Sequence, residues 1–168
     1  MIYNQIEKEI ENIMSLTRFK HSVGVAEAAS RLAERYGVEP KRAYLAGLIH
    51  DCAKELSTVR QLGLALQARE GFDLSQIPYP FVYHGPAGSV FARRKFGIQE
   101  EDVLKAVAYH VLGKPEMTTL EKIIFVADYF EENRKFHWRA EMEAAAYENL
   151  DFAVVKGCNI TINYLESE

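Results

Sequence analysis

Only two of the 168 residues are cysteines, Cys52 and Cys158, and they form no CxxC pair. That excludes a disulfide framework and a cysteine-type structural zinc site. Both thiols sit among apolar residues and read as reduced core groups, which points to a cytoplasmic protein. No apolar run reaches the roughly 20 residues that span a bilayer. Glu7, Lys8 and Glu9 interrupt the N-terminal stretch, which does not read as a signal peptide. Excess positive charge is missing too. A formal net charge of -4 gives no general attraction to nucleic acid or anionic membrane, although a small basic pocket for a phosphorylated ligand is compatible with it. Linkers, internal repeats and low-complexity tracts are absent, so the chain reads as one domain over 1–168.

What is present is ordinary soluble composition, 48% hydrophobic and 26% charged, arranged at helical period. Residues 3–15 predict an amphipathic helix with Ile6 and Ile10 on one face, followed by a helix from about Arg18 to Tyr36 that Gly37 ends. Glu39-Pro40 opens a third helix, which ends around His50-Asp51, and Ser57 begins a fourth that runs through Gln67 and closes near Gly71. Asp73 to Pro80 reads as irregular. Further helices are predicted from His84 to about Lys95, from Glu100 to Val111, and from Thr118 or Thr119 through Asp128. From about Trp138 to Tyr164 the pattern predicts one long helix or two shorter ones. The β-branched run Val154 to Ile162 would find no partner strand. The fold class expected is an all-α, single-domain helical bundle.

Against this pattern, six polar groups occupy apolar stripes or helix ends: His21, His50, Asp51, His84, His110 and Asp128. On the third helix Asp51 follows Leu48 by three positions, which turns its carboxylate toward the buried stripe. Asp128 follows Ile124 by four, and His110 follows Val107 by three. Singly, each has an ordinary explanation: a core histidine with a satisfied hydrogen bond, a turn histidine, a carboxylate that caps a helix or pairs with Lys54. Together they need a common partner, because a buried charge is costly unless paired or metal-bound. Imidazole with carboxylate suits a first-row divalent ion, with iron, manganese, zinc and cobalt all compatible.

The order His21, His50-Asp51, Asp128 resembles the H…HD…D signature of the HD-domain metal-dependent phosphohydrolases. More narrowly, several segments resemble the bacterial YqeK family, the symmetrical bis(5'-nucleosyl)-tetraphosphatases. They are Arg18-Phe19-Lys20-His21-Ser22, His50-Asp51-Cys52-Ala53-Lys54, His84-Gly85-Pro86-Ala87-Gly88, and the stretch from Tyr109-His110 through Ala127-Asp128-Tyr129 to Arg134. The resemblance covers roughly residues 18–135 and leaves the C-terminal segment, about 138–164, without a role; Glu132 stands where the family often has proline. It implies that His21, His50, Asp51 and Asp128 hold one metal ion. It further implies that His84 and His110 hold a second, with Asp51 bridging, and that iron is the first choice of metal. The implied reaction is cleavage of diadenosine tetraphosphate into two ADP.

The chemistry can also be argued without the family. Two divalent ions about 3.5–4 Å apart acidify a shared water and supply hydroxide near neutral pH, so Asp51 is expected to serve catalysis. Lys54, one turn beyond Asp51, can reach a phosphate oxygen, and Arg18 and Arg134 are further candidates for substrate binding. Glu131 could orient a ligand or bind Arg134. The expected partner is a small nucleotide, with no nucleic acid and no membrane; a homodimer is compatible with the composition. Two alternatives stay open: an HD-type nucleotidase acting on (deoxy)nucleotides, and a nucleotide-binding scaffold without turnover. A cyclic-dinucleotide phosphodiesterase is disfavoured, since no Gly-Tyr-Pro motif follows the His-Asp pair.

Overall fold

In a computed structural model, which describes residues 2–68 and 79–167, the chain is helical throughout, with no strand among the described residues. The expected stop near Gly71 and the irregular stretch from Asp73 through residue 78 lie outside the described residues. The elements run α1 (Ile2–Ile13), α2 (Leu16–Tyr36), α3 (Pro40–Ile49), α4 (Thr58–Ala65), a 3-10 turn (Pro80–Val82), α5 (His84–Phe96), α6 (Glu101–Tyr109), α7 (Thr119–Phe130), α8 (Arg139–Glu148) and α9 (Leu150–Ser167).

Local chemistry accounts for most of these boundaries. Ser15 caps α2 by accepting from the Arg18 backbone N–H at 3.4 Å, and Gly37 ends it with φ +70, a conformation glycine adopts without strain. Glu39 caps α3 through the N–H groups of Lys41 and Arg42, with Pro40 in the first turn. Thr118 and Glu121 form a reciprocal capping box at the start of α7. The C-terminal pattern resolves into two helices because Asn149 takes an extended conformation between them. Its Oδ1 then accepts from Phe152 N at 3.0 Å and starts α9. Ser57 stands at the cap position of α4 without a side-chain bond, and that helix stops at Ala65, short of Gln67.

One placement differs from expectation. Asp51 does not lie on α3. The helix ends at Ile49, His50 is its C-cap, and residues 51–55 turn tightly, with Cys52 N bonded to Ile49 O and Lys54 N to Asp51 O. The residues still bury, so apolar periodicity could not separate a last helical turn from a chain of tight turns.

The core is built from Val25 and Leu32 of α2, Leu48 and Ile49 of α3, Leu104 and Val107 of α6, Ile123 and Ile124 of α7, and Met142 of α8. Burying each large apolar side chain contributes about 1.5–3 kcal/mol. α2 runs beside α3 and α7, α6 contacts α3, α5 and α7, and α8 and α9 lie on α7. A Cβ at Gly47 would fall 2.7 Å from Cα of Ala26, so only glycine lets α2 and α3 cross this closely. That crossing brings His21 toward His50.

Candidate metal centre

Four imidazoles converge where α2, α3, α5 and α6 meet, and α7 contributes a carboxylate. His50 and His110 are the C-caps of α3 and α6, where backbone carbonyls lack helical partners. Each ring uses one of them: His50 Nδ1 lies 2.6 Å from Gly47 O, and His110 Nδ1 lies 2.7 Å from Val107 O. His84, first residue of α5, does the same with Phe81 O at 2.6 Å, supplied by the 3-10 turn. A carbonyl oxygen only accepts, so the Nδ1 of each ring carries the hydrogen and Nε2 presents its lone pair. This is the tautomer that metal-ligating histidines use, with the outer nitrogen held by an acceptor.

Those Nε2 atoms face one another in two pairs. His21 and His50 stand 3.2 Å apart, His84 and His110 3.1 Å apart. Asp51, with a fully buried side chain, lies between the pairs and splits its carboxylate. Oδ2 is 3.9 Å from His21 Nε2 and 3.6 Å from His50 Nε2; Oδ1 is 3.2 Å from His84 Nε2 and 3.6 Å from His110 Nε2. Asp128 Oδ1 closes the first group at 3.0 Å from His21 and 3.9 Å from His50. Two donors bound to one ion at about 2.1 Å stand about 3.0–3.4 Å apart, so these spacings suit common ligation. Asp51 Oδ1 is moreover enclosed and without a hydrogen-bond partner among the described residues. The donor set fits a divalent metal: neutral imidazole nitrogens and ionised carboxylate oxygens turned toward one another are the donors that a first-row cation takes.

The protonation states agree with this. Burial lowers His50 to about 3 and His84 to about 4, so both are neutral near pH 7. Burial alone would raise Asp51 and Asp128. For Asp51 the surrounding imidazoles, His50 foremost, and Lys54 outweigh it. For Asp128 the hydrogen bond with His21 and the charge of Arg134 do so, and both carboxyls stay well below the usual range. His21 differs: burial lowers it, but bonds to Asp128 and Glu131 prevail and raise its pKa. A cation bound there would compete with protons for His21.

The six residues singled out in the sequence come together here. Of the three cationic residues, Arg18 donates to Asp51 Oδ2 at 2.7 Å, and Lys54 Nζ lies 3.4 Å from Oδ1. Arg134 grips Asp128, through Oδ1 at 2.5 Å and the backbone oxygen at 2.9 Å. All three side chains reach partly into solvent, so they rim the cluster on its open side. Arg134 therefore pairs with Asp128, while the buried Glu131 side chain bonds His21 Nδ1 at 3.1 Å and Asn133. Glu55 is a residue that sequence reasoning passed over. It holds Ser15 Oγ at 2.6 Å and lies 3.8 Å from Arg18 Nε, fixing the arm that reaches Asp51. Its acidic side chain in a turn carried no signal. His137, the remaining histidine, is exposed and outside the cluster.

The HD domain sequence profile matches residues 18–133. The chain belongs to the HD-domain family. Two curated relatives narrow the branch, and both are symmetrical bis(5'-nucleosyl)-tetraphosphatases. One, from Bacillus subtilis, is 38% identical over 88% of this chain and 79% of its own length. The other, from Halalkalibacterium halodurans, is 37% identical with the same two coverages. A crystal structure from Clostridium acetobutylicum, described as a predicted HD superfamily hydrolase involved in NAD metabolism, shares the fold at a TM-score of 0.92 and 36% identity. It covers 98% of this chain and 87% of that one. This HD protein is thus a hydrolase whose histidine–aspartate cluster suits divalent metal. No helix among its described residues is long and apolar enough to cross a membrane.

Proposed function

We propose that this HD protein hydrolyses dinucleoside tetraphosphates symmetrically, converting diadenosine tetraphosphate and water into two ADP. The observation that carries the reading is the divided carboxylate of Asp51, with one oxygen turned to each histidine pair. His21, His50, Asp128 and Asp51 Oδ2 would hold one cation, and His84, His110 and Asp51 Oδ1 a second. Iron is the first choice, and manganese, cobalt or zinc suit the same donors. Bound there, divalent cations supply Lewis acidity toward phosphoryl oxygens and a water acidified to near neutral pH.

The chain's own residues then do the positioning. Lys54 and Arg18 meet the central phosphates as they approach Asp51, and Arg134 meets them from the Asp128 side. Water adds to one central phosphorus, the bond from that phosphorus to the bridging oxygen breaks, and each half departs as a nucleoside diphosphate. A diphosphate is a good leaving group, so no strong acid is required of the protein. The similarity to the two tetraphosphatases supports the choice of substrate.

Incubating the metal-loaded protein with diadenosine tetraphosphate is the test. ADP as the sole product, abolished by chelation, is the expected result. AMP with ATP overturns symmetrical cleavage, and turnover confined to mononucleotides overturns the substrate class.

A further inference from the structure

The HD profile ends at Asn133, whereas the cavity that opens from the cluster draws six of its thirteen lining residues from beyond that point. The cavity measures about 590 Å³. Lys54, His84, His110 and Asp128 of the cluster line it together with Phe81, Val111 and Arg134, and Tyr129, Phe136 and Trp138 line it with three residues of α9. Phe136 and Trp138 stack at 4.5 Å with their planes 14° apart, and Tyr129 tilts against Trp138 at 5.9 Å. The Arg134 guanidinium lies 5.7 Å from the Phe136 ring centre. The aromatic run therefore begins one residue after Asp128 and leads outward from the cluster. Its outer member, Phe136, is 48% exposed.

We infer that this wall is a nucleoside subsite, in which the base lies against the Tyr129–Trp138–Phe136 surface while its phosphates pass Arg134 to the cluster. The inference rests on the nucleotide reading above and gives α9 and the segment that leads into α8 a role in holding the nucleoside. Three features carry it. The volume falls in the range of about 300–1,000 Å³ typical of small-molecule sites. The aromatic faces offer what every nucleobase can use, a flat apolar partner. Polar groups are few: Tyr129 Oη and Thr161 Oγ1 are bonded to each other at 2.6 Å, and a threonine hydroxyl in one bond still has capacity for a second partner. Such a site grips a base strongly and discriminates among bases weakly.

A purely structural reading of these aromatics, as packing that docks α8 and α9 on α7, predicts no dependence on the base. Trp138 is the single tryptophan, so its emission reports on the cavity directly. Titration of the metal-loaded protein with ADP is expected to change Trp138 fluorescence saturably. Inorganic pyrophosphate, which has the phosphates without a base, is expected to leave it unchanged. Trp138→Ala should raise KM for diadenosine tetraphosphate about tenfold, with inhibition by pyrophosphate unaltered. Should that variant fail to fold, Phe136→Ala serves for the same comparison, since its ring is half exposed. Equal fluorescence responses to ADP and pyrophosphate overturn the subsite, as does a wild-type KM in a folded variant. A wild-type protein that releases no ADP from diadenosine tetraphosphate refutes the proposed reaction instead, and the ADP titration then still decides the subsite.

Discussion

His21 donates from Nδ1 to Oε1 of Glu131 at 3.1 Å, a bond between residues 110 positions apart. Glu131 is itself held by the backbone and side chain of Asn133, so the imidazole is oriented by a carboxylate that cannot turn away. Removing an outer partner of this kind costs about 10–100-fold in metal affinity. Glu131→Ala is expected to weaken the ion at the His21 side by that factor, while Glu131→Gln, which keeps an acceptor, loses less. Metal titration of both variants checks this, and identical affinities to wild type would remove Glu131 from the site.

The space for Glu131 is kept open by Gly24, three positions after His21 on the same helix. A Cβ there would overlap Glu131 Oε2, which accepts from Asn133 while Oε1 of the same carboxylate holds His21. Gly24→Ala should therefore reproduce the metal loss of Glu131→Ala, although alanine favours the helix by about 1 kcal/mol over glycine. Thermal denaturation and metal affinity measured together test the claim: a variant that binds metal as wild type does contradicts it.

These two residues also show where sequence reasoning stops. His21, His110 and Asp128 were legible because each interrupts an apolar pattern that repeats along one helix, and His50-Asp51 and His84 because they stand at helix ends. The helices were legible for the same reason, including α9, whose β-branched residues had no strand to pair with. The bond between His21 and Glu131 depends on how α2 packs against the end of α7, and no local period encodes it. The placement of Asp51 in a turn after α3, and the stacking of Phe136 on Trp138, likewise follow from tertiary packing. Arg134 was legible as a cation near the site, but its choice of Asp128 over Glu131 depended on side-chain geometry.

Acid should destabilise the metal-free protein in a defined window. Burial lowers His50 to about 3 and His84 to about 4, against about 6.5 for an unfolded imidazole. Between roughly pH 6.5 and 4 the unfolded chain binds more protons, so stability falls as pH falls, by up to about 1.4 kcal/mol per pH unit for each group. His21 has the opposite sign: its raised pKa contributes stability at low pH that is lost as pH rises through its folded value. Asp51 and Asp128 have depressed pKa values, so their contribution is lost as pH falls through those values, below the histidine window. Tm of the metal-free protein should drop from pH 6.5 to 4, and His50→Gln should flatten the drop. A level Tm across that window contradicts the assignment of neutral, buried imidazoles.

Removing Asp51 should separate the fold from the metal. In the metal-free protein its charge is answered by Arg18 and Lys54, whose side chains are 30% and 33% exposed and can swing to solvent when the carboxylate goes. Asp51→Ala should therefore cost the metal-free protein little stability while taking a ligand from both histidine pairs. A ligand at 100 times its Kd stabilises the folded state by about 2.7 kcal/mol. For a chain of this size that corresponds to roughly 5–10 °C in Tm. Chelation should lower the wild-type Tm by about that amount and leave Asp51→Ala nearly unmoved, and elemental analysis should show the variant depleted of metal. Equal chelator sensitivity in the two proteins would mean that the cation, wherever it binds, does not depend on the carboxylate that lies between the histidine pairs.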